Sequence, residues 1–339
     1  MKRILMLSFL MVMLAFPKAG EDEIVNYLDN LKVGEPVRYK NLTIFPLLAK
    51  RIFSLHDYIT LDQAIDKGWL KIREAGSGEV NFVEVKNNGP EPVFIMTGEM
   101  ITGARQDRML KEDLLLPTQS GWIRVPVFCV EHGRWTEVSH EFKSGGLLVP
   151  NTVREKAKMT ESQTEVWDEI AASQDRLGIS AGTGTVNANY EDEEVKKALA
   201  EYTDKFIKIP KLSKATIGVV VVTGNQIIGF DMFANNSLLD KLWPKLIKSY
   251  CIDAISGRPG EIYKDDIEEL IEALKDAKFV STGTLGFGKL IKIESELGQG
   301  SALVHKTAVV HMDFFPGDDI TYHDSKLRLD FRRDQRLNN

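Results

Sequence analysis

Between Ala215 and Ala254 the hydrophobic pattern changes period once, and that change limits the folds open to this chain. Ala215 to Val222 is an apolar run, Thr223-Gly224-Asn225 is a turn signal, and Gln226 to Phe233 is a second run, which together read as an antiparallel hairpin. From Leu239 onward, Leu242, Trp243, Leu246, Tyr250 and Ala254 recur at helical spacing. Asn236 or Ser237 is the expected N-cap, and Pro244 must sit in the opening turns or kink the helix. A hairpin running straight into an amphipathic helix calls for helices packed on an antiparallel sheet rather than a parallel, doubly wound one.

The rest of the chain fits this frame. Strand patterns fall at 37–48, 69–73, 80–85, 92–97 and 123–130, with a short helical stretch at 61–67 and an Asn87-Asn88-Gly89-Pro90 turn; Pro126 argues for an edge or a bulge. Helical spacing reappears over 152–176 and 191–207 around a loop at 178–190, and Asp265 to Ala277 is a further helix. Ala302 to Phe315 reads as one strand. The expected class is α+β: a mainly antiparallel, sandwich-like β unit over 34–145, a helical and loop connection over 146–210, a mixed α+β unit over 211–318 and a polar tail over 319–339. The length of 339 residues suits two such units at about 150 residues per domain.

Ahead of them, Lys2 and Arg3 precede an apolar run from Ile4 to Phe16, then Pro17, Lys18 and an acidic Glu21-Asp22-Glu23. That order is a secretory signal peptide, expected over 1–19, and the chain is expected to be exported, periplasmic or secreted, with an N-terminal membrane tether as the variant in which the segment is retained. The run is shorter than the ~20 apolar residues a stable transmembrane span needs. The net charge of −6 becomes −9 without Lys2, Arg3 and Lys18, and an acidic body argues against nucleic acid as a partner. The two cysteines, Cys129 and Cys251, fall on apolar faces of a strand and a helix and read as core residues, with pairing left open.

Three motif-like groupings carry less than they promise. Gly283 to Lys289 has the GxxxxGK spacing, but Leu290 replaces the hydroxyl that Mg²⁺ binding needs, and Leu290 to Ile293 continues as strand, so the segment reads as a glycine-rich turn. His305 and His311 on one strand stand about 20 Å apart and cannot share a metal unless the strand breaks. His132 and His140 with Cys129, Glu131 and Glu141 match no established ligand spacing, and no metal is assigned.

The densest polar stretch is Gly98 to Arg108, followed by Cys129 to Trp135. Glu99 and Glu131 each end a strand with apolar same-face neighbours, so both carboxylates are expected at one rim of a shared sheet. They are the candidate acid and base, and Gln106, Arg108, Arg134 and Trp135 are the candidate ligand contacts. The competing reading is an ion-pair network that holds loops to the sheet.

GEMITGARQDR (98–108), RVPVFCVEHGRW (124–135), ESQTEVW (161–167) and the hairpin-helix segment 223–255 together resemble the ARPP-1 family, the ARG and rhodanese-phosphatase-superfamily-associated protein domain, from about Gly34 to about Phe315. The resemblance implies a context of ADP-ribose or nucleotide metabolism without implying a reaction. Glu99, Gln106, Arg108, Cys129, Glu131, Arg134, Gln163 and Trp167 stand at the matching positions, while Gly103-Ala104 replaces a double glycine. Three functions stay open: a binding module for a small polar or anionic molecule, a hydrolase using Glu99 and Glu131, and an envelope protein whose partner is another protein. Any cofactor is left unassigned.

Overall fold

The computed structural model describes residues 20–317 and the backbone of a hairpin formed by Ile320–His323 and Lys326–Leu329. The expected leader at 1–19 and most of the expected tail lie outside the described residues. The fold is α+β and mainly antiparallel. Its centre is a sheet whose main path runs, by strand, Leu31–Val33, Leu42–Ala49, Thr216–Thr223, Gln226–Phe233, Ala308–Pro316, Gly298–His305, Lys289–Ser295 and Lys278–Thr282, with Val37–Tyr39 beside Leu42–Ala49. Thr216–Thr223 lies inside this sheet and carries the unbroken run Val219 to Val222, as a strand covered on both faces should. Strands Val37–Tyr39 and Leu42–Ala49, inside the block 34–145, join this sheet, so pairing runs across the boundary drawn from sequence.

Helices Glu21–Asp29 and Lys264–Lys275 cover one face of the large sheet, burying Ile24, Tyr27, Leu28, Ile267 and Leu270 against Phe45, Leu47 and Phe230. The other face packs on helix Asn236–Ile255 through Leu239, Leu242, Trp243, Leu246 and Tyr250, joined by helices Asn151–Thr160 and Gln163–Leu177. Beyond them lies a second sheet, ordered Phe142–Leu148, Glu99–Gly103, Arg108–Leu110, Ile123–Cys129, Phe82–Asn87 and Leu70–Glu74. A three-stranded patch of Leu114–Leu116, Val93–Ile95 and Ile59–Thr60 stands between the sheets and contains a parallel pair.

Three local expectations are corrected, and one of the two alternatives for Pro244 is removed. Pro126 is in an interior strand: pairing with Phe82–Asn87 ends at Pro126, and pairing with Arg108–Leu110 starts at Val127, so the residue without an N–H sits where the ladder changes partner. The N-cap of the long helix is Asn235, whose Oδ1 accepts from Leu238 N at 3.0 Å, because Asn236 spends its amide on the carbonyls of Pro210 and Thr216, both at 2.8 Å. Pro244 lies well inside the helix, past its opening turns. The expected single strand 302–315 is a hairpin, Gly298–His305 and Ala308–Pro316, turning at Lys306 with φ +57°; the turn has no glycine to announce it.

That hairpin places His311 in a buried charge lock between the layers. His311 Nδ1 meets Asp113 Oδ2 at 2.6 Å and its Nε2 meets Asp231 Oδ1 at 2.9 Å. Arg154 binds both oxygens of Asp231 at 2.7 and 3.3 Å, and the Tyr250 hydroxyl donates to the same carboxylate. Asp113 also accepts from Thr97 N and Oγ1 at 2.8 and 3.0 Å, and Asp313 pairs with Lys158 at 3.1 Å. Burial would lower the His311 pKa, but Asp113 and Asp231 outweigh it and raise it from 6.5 to about 9. Burial likewise opposes ionisation of Asp231, yet Arg154 and His311 hold its pKa below the usual carboxylate range.

A histidine pKa raised on folding adds stability that is full below pH 6.5 and is lost as pH rises through about 9. The parent protein should therefore weaken by about 3 kcal/mol between pH 6.5 and pH 10 from this group alone, as read by urea denaturation. Nitrogen NMR of the imidazole should still show a doubly protonated ring at pH 8; a neutral ring there would refute the assignment.

Candidate functional site

The expected polar segments meet at one end of the second sheet. Strands Glu99–Gly103 and Arg108–Leu110 are joined by a tight turn in which Gly103 has φ +117° and Ala104 φ +43°. Ala104 thus adopts the left-handed conformation for which glycine is the usual residue. The turn aims Gln106, Asp107 and Arg108 at Glu131 and Arg134, which follow strand Ile123–Cys129.

Arg134 has five N–H donors, and the protein uses all of them. Nε donates to Glu131 Oε2 at 2.7 Å, Nη1 to the carbonyls of Ala104 and Thr136 at 3.0 and 3.1 Å, and Nη2 to Asp107 Oδ1 at 3.0 Å and Gly103 O at 3.4 Å. Glu131 further accepts from Asp107 N at 3.2 Å and Thr183 Oγ1 at 3.4 Å. Asp107 takes Gly103 N and Asn187 Nδ2 at 3.0 and 2.7 Å, and burial raises its pKa. Gln106 donates to the carbonyls of Glu131 and His132 at 3.0 and 3.3 Å and accepts from Arg108. Glu131, Arg134, Asp107 and Gln106 are therefore committed to each other and to the loops they hold, as the competing structural reading requires.

Arg108 is different. It is fully buried, and only Nη1 is engaged, with Gln106 Oε1 at 3.0 Å and Asp107 O at 3.4 Å. Its Nε and Nη2, which form the side-on fork that grips a carboxylate or phosphate, have no hydrogen-bond partner among the described residues. The facing group is Glu74 Oε2, 4.0 Å from Nη2 and itself without a hydrogen bond, at the end of strand Leu70–Glu74. Burial pulls the Arg108 pKa down, with Cys129 and Glu74 acting against it. Cys129 is opposite Arg108 in the ladder, and burial pushes its thiol up. Gln163 clasps the Cys129 peptide, accepting from its N at 2.8 Å and donating to its O at 2.9 Å, while Trp167 packs edge-on against His132. Cys129 and Cys251 are both buried and free, so they do not pair.

Glu99 does not join this group, which corrects the expected pairing of carboxylates. It is buried at the start of its strand, accepting from Met96 N at 2.8 Å and from Lys245 of the long helix, which also meets Asp62 at 2.8 Å. Gly103, which touches Arg134, ends the same strand about 13 Å further on. Burial raises the Glu99 pKa, with Lys245 opposing. Among the described residues Glu99 and Glu131 share no hydrogen-bond or ion-pair partner, and each carboxylate belongs to its own network. Trp135 also stands apart, 48% exposed beneath the Arg105 guanidinium. The residues of the His132–His140 cluster have separate partners: His140 is exposed and pairs with Glu137, and Glu141 pairs with Lys71; no group of three His, Cys, Asp or Glu placed to hold a metal ion occurs among the described residues. Gly283 to Gly288 is a turn leading into strand Lys289–Ser295, and Gly286 packs against Leu115 O too closely for any Cβ.

Sequence reasoning missed Asp107, Glu74 and the charge lock. Asp107 lay inside the polar stretch and could have been named with its neighbours. Glu74 and Asp113 carried no motif. One family model, the ARG and Rhodanese-Phosphatase-superfamily-associated Protein domain (ARPP-1), matches residues 30–315. No curated protein and no solved structure matches the chain.

The hydrogen-bond accounting separates two neighbouring residues. Arg134→Met should cost about 2–4 kcal/mol in urea denaturation, because it strands two buried carboxylates. Trp135→Ala should change stability by less than about 0.5 kcal/mol. Equal costs would mean that this network does not hold the 131–136 loop.

Proposed function

We propose that this chain, which belongs to the ARPP-1 family, is a binding module for a small anionic molecule gripped by the Nε–Nη2 fork of Arg108. The observation that carries this reading is the fork itself: among the described residues, a fully buried guanidinium with two nitrogens that make no hydrogen bond, 4.0 Å from a carboxylate oxygen that also makes none. Leaving donors of a charged group unmatched in the interior is costly, and a planar carboxylate or a phosphate satisfies both at once. Glu74 occupies the direction of approach and keeps some solvent exposure, so ligand entry is an exchange in which the incoming anion replaces its carboxylate. The family's association with ADP-ribosylglycohydrolase and phosphatase-like proteins makes ADP-ribose, nucleotides and sugar phosphates the first ligands to try. A hydrolase built on Glu99 and Glu131 is not retained, since those carboxylates serve separate networks.

A thermal-shift series of these ligands tests the reading on the parent, Arg108→Lys and Glu74→Gln. Lysine keeps the charge but loses the fork, so Arg108→Lys should abolish the shift; Glu74→Gln removes the competing carboxylate and should enlarge it. A ligand held at a hundredfold excess over Kd adds ~2.7 kcal/mol and moves the melting temperature by a few degrees. If neither the parent nor Glu74→Gln responds to any of them, the cluster is structural and the envelope-protein reading takes its place.

Export belongs to the same proposal and rests on Lys2, Arg3 and the apolar run that follows. Mass spectrometry of the protein from its own host should find the first ~19 residues removed, or an intact chain with the membranes. An intact Met1 confined to the cytosol would refute it.

A further inference from the structure

Among the described residues, the charge lock meets solvent at Lys158. Its Lys158 lines a cleft of about 100 Å³ between the C-terminal end of helix Asn151–Thr160 and strands Lys289–Ser295 and Gly298–His305. Ser301, also on the wall, accepts from Lys158 Nζ at 2.7 Å and donates from Oγ to Asp313 Oδ1 at 3.2 Å, while its backbone N donates to the same oxygen at 2.8 Å. Two more ammonium groups, Lys111 and Lys292, enter from other elements, and both bind the carboxylate of Glu161. Lysines contributed by three separate segments thus converge on one small concavity.

The two carboxylates that hold these lysines differ in exposure and in support. Asp313 is fully buried and pinned by Ser301, so it stays. Glu161 is 48% exposed on the two-residue link between helices Asn151–Thr160 and Gln163–Leu177, and its backbone is held at φ +51°, a left-handed conformation unfavourable for a residue with a Cβ. With Glu161 turned outward, three ammoniums would face Asp313, with Glu112 and Glu294 at the rim and Glu294 already tied to Lys278. The Ser301–Lys158 contact also has the spacing of a nucleophile and its base, but Lys158 already forms an ion pair with Asp313 at 3.1 Å, which uses it as a charge and leaves it no lone pair for the serine proton.

We infer that this cleft is a second anion site, distinct from Arg108, which takes a phosphate group between Lys111, Lys158 and Lys292, and that the Glu161 carboxylate stands in for that group between Lys111 and Lys292. An incoming phosphate displaces Glu161, inherits its two lysines and adds Lys158. Because Lys158 and Asp313 belong to the charge lock, occupancy of the cleft bears directly on the layer contact beneath it.

Isothermal titration of the full chain with inorganic phosphate, at constant ionic strength, tests this on the parent, Glu161→Gln, Lys292→Gln and Arg108→Lys. Glu161→Gln should tighten phosphate binding about tenfold, the equivalent of about 1.4 kcal/mol. Lys292→Gln, at a half-exposed position, should fold normally and lose the cleft's share of the binding, whereas Arg108→Lys should keep the cleft's share and lose only what the Arg108 fork holds. Glycerol 3-phosphate in the same series distinguishes a ligand's terminal phosphate from the free ion: binding equal to that of phosphate assigns the cleft to esters, and binding of phosphate alone assigns it to the ion. If Glu161→Gln binds phosphate no more tightly than the parent, or if Lys292→Gln binds it as well, the inference is overturned. Loss of phosphate binding in Arg108→Lys alone would return the anion to the first site.

Discussion

Asp231 is the point at which the layers of this protein are joined. It lies on a strand of the large sheet, yet its carboxylate is shared by Arg154 from one helix, Tyr250 from another and His311 from the adjacent strand. His311 carries the connection on to Asp113, next to the three-stranded patch, and Asp113 takes Thr97 at the head of the second sheet. Sheet-on-helix packing by itself is non-directional, because apolar faces of similar shape can slide over one another. A charge-balanced set of Arg154, Lys158 and His311 against Asp113, Asp231 and Asp313 admits one registration, since any shift strands a buried charge. The stability of such a set is modest against an apolar equivalent; its effect is to define which face meets which.

The same accounting distinguishes the polar clusters. Around Arg134 every donor is matched within the protein, so the cluster is a fastening for the 103–107 and 131–136 loops. Around Arg108 the matching is incomplete, and in the Lys158 cleft it relies on an exposed carboxylate. A charged group with unmatched donors or exposed neighbours is the kind of place where an external anion can compete.

Much of the local structure was readable along the chain. The hairpin at 216–233, the helix after it, and the helices near 151–177, 193–206 and 264–275 follow from apolar spacing, since one buried face imposes period 2 on a strand and period 3.6 on a helix. The boundaries that failed did so where side-chain commitments outweighed local preference. Asn236 lost the cap to Asn235 because its amide was needed by Pro210 and Thr216, and the 305–308 turn formed at Lys306 although lysine carries no turn signal.

By itself the sequence determined which segments could be strands or helices, that an antiparallel α+β architecture would result, and that Gln106, Arg108, Glu131 and Arg134 would gather at a sheet end, because each property depends on spacing within a few residues or on strands close in the chain. Only the tertiary structure decided that Glu99 would face Lys245, 146 residues away, instead of Glu131, and that His311 would find Asp113 across 198 residues. It also decided that Leu42–Ala49 would pair with Thr216–Thr223 rather than stay with the strands that follow it. Those choices depend on which apolar faces bury together, and a buried charge then takes whichever partner that packing brings within reach; neither is written in the spacing of neighbouring residues.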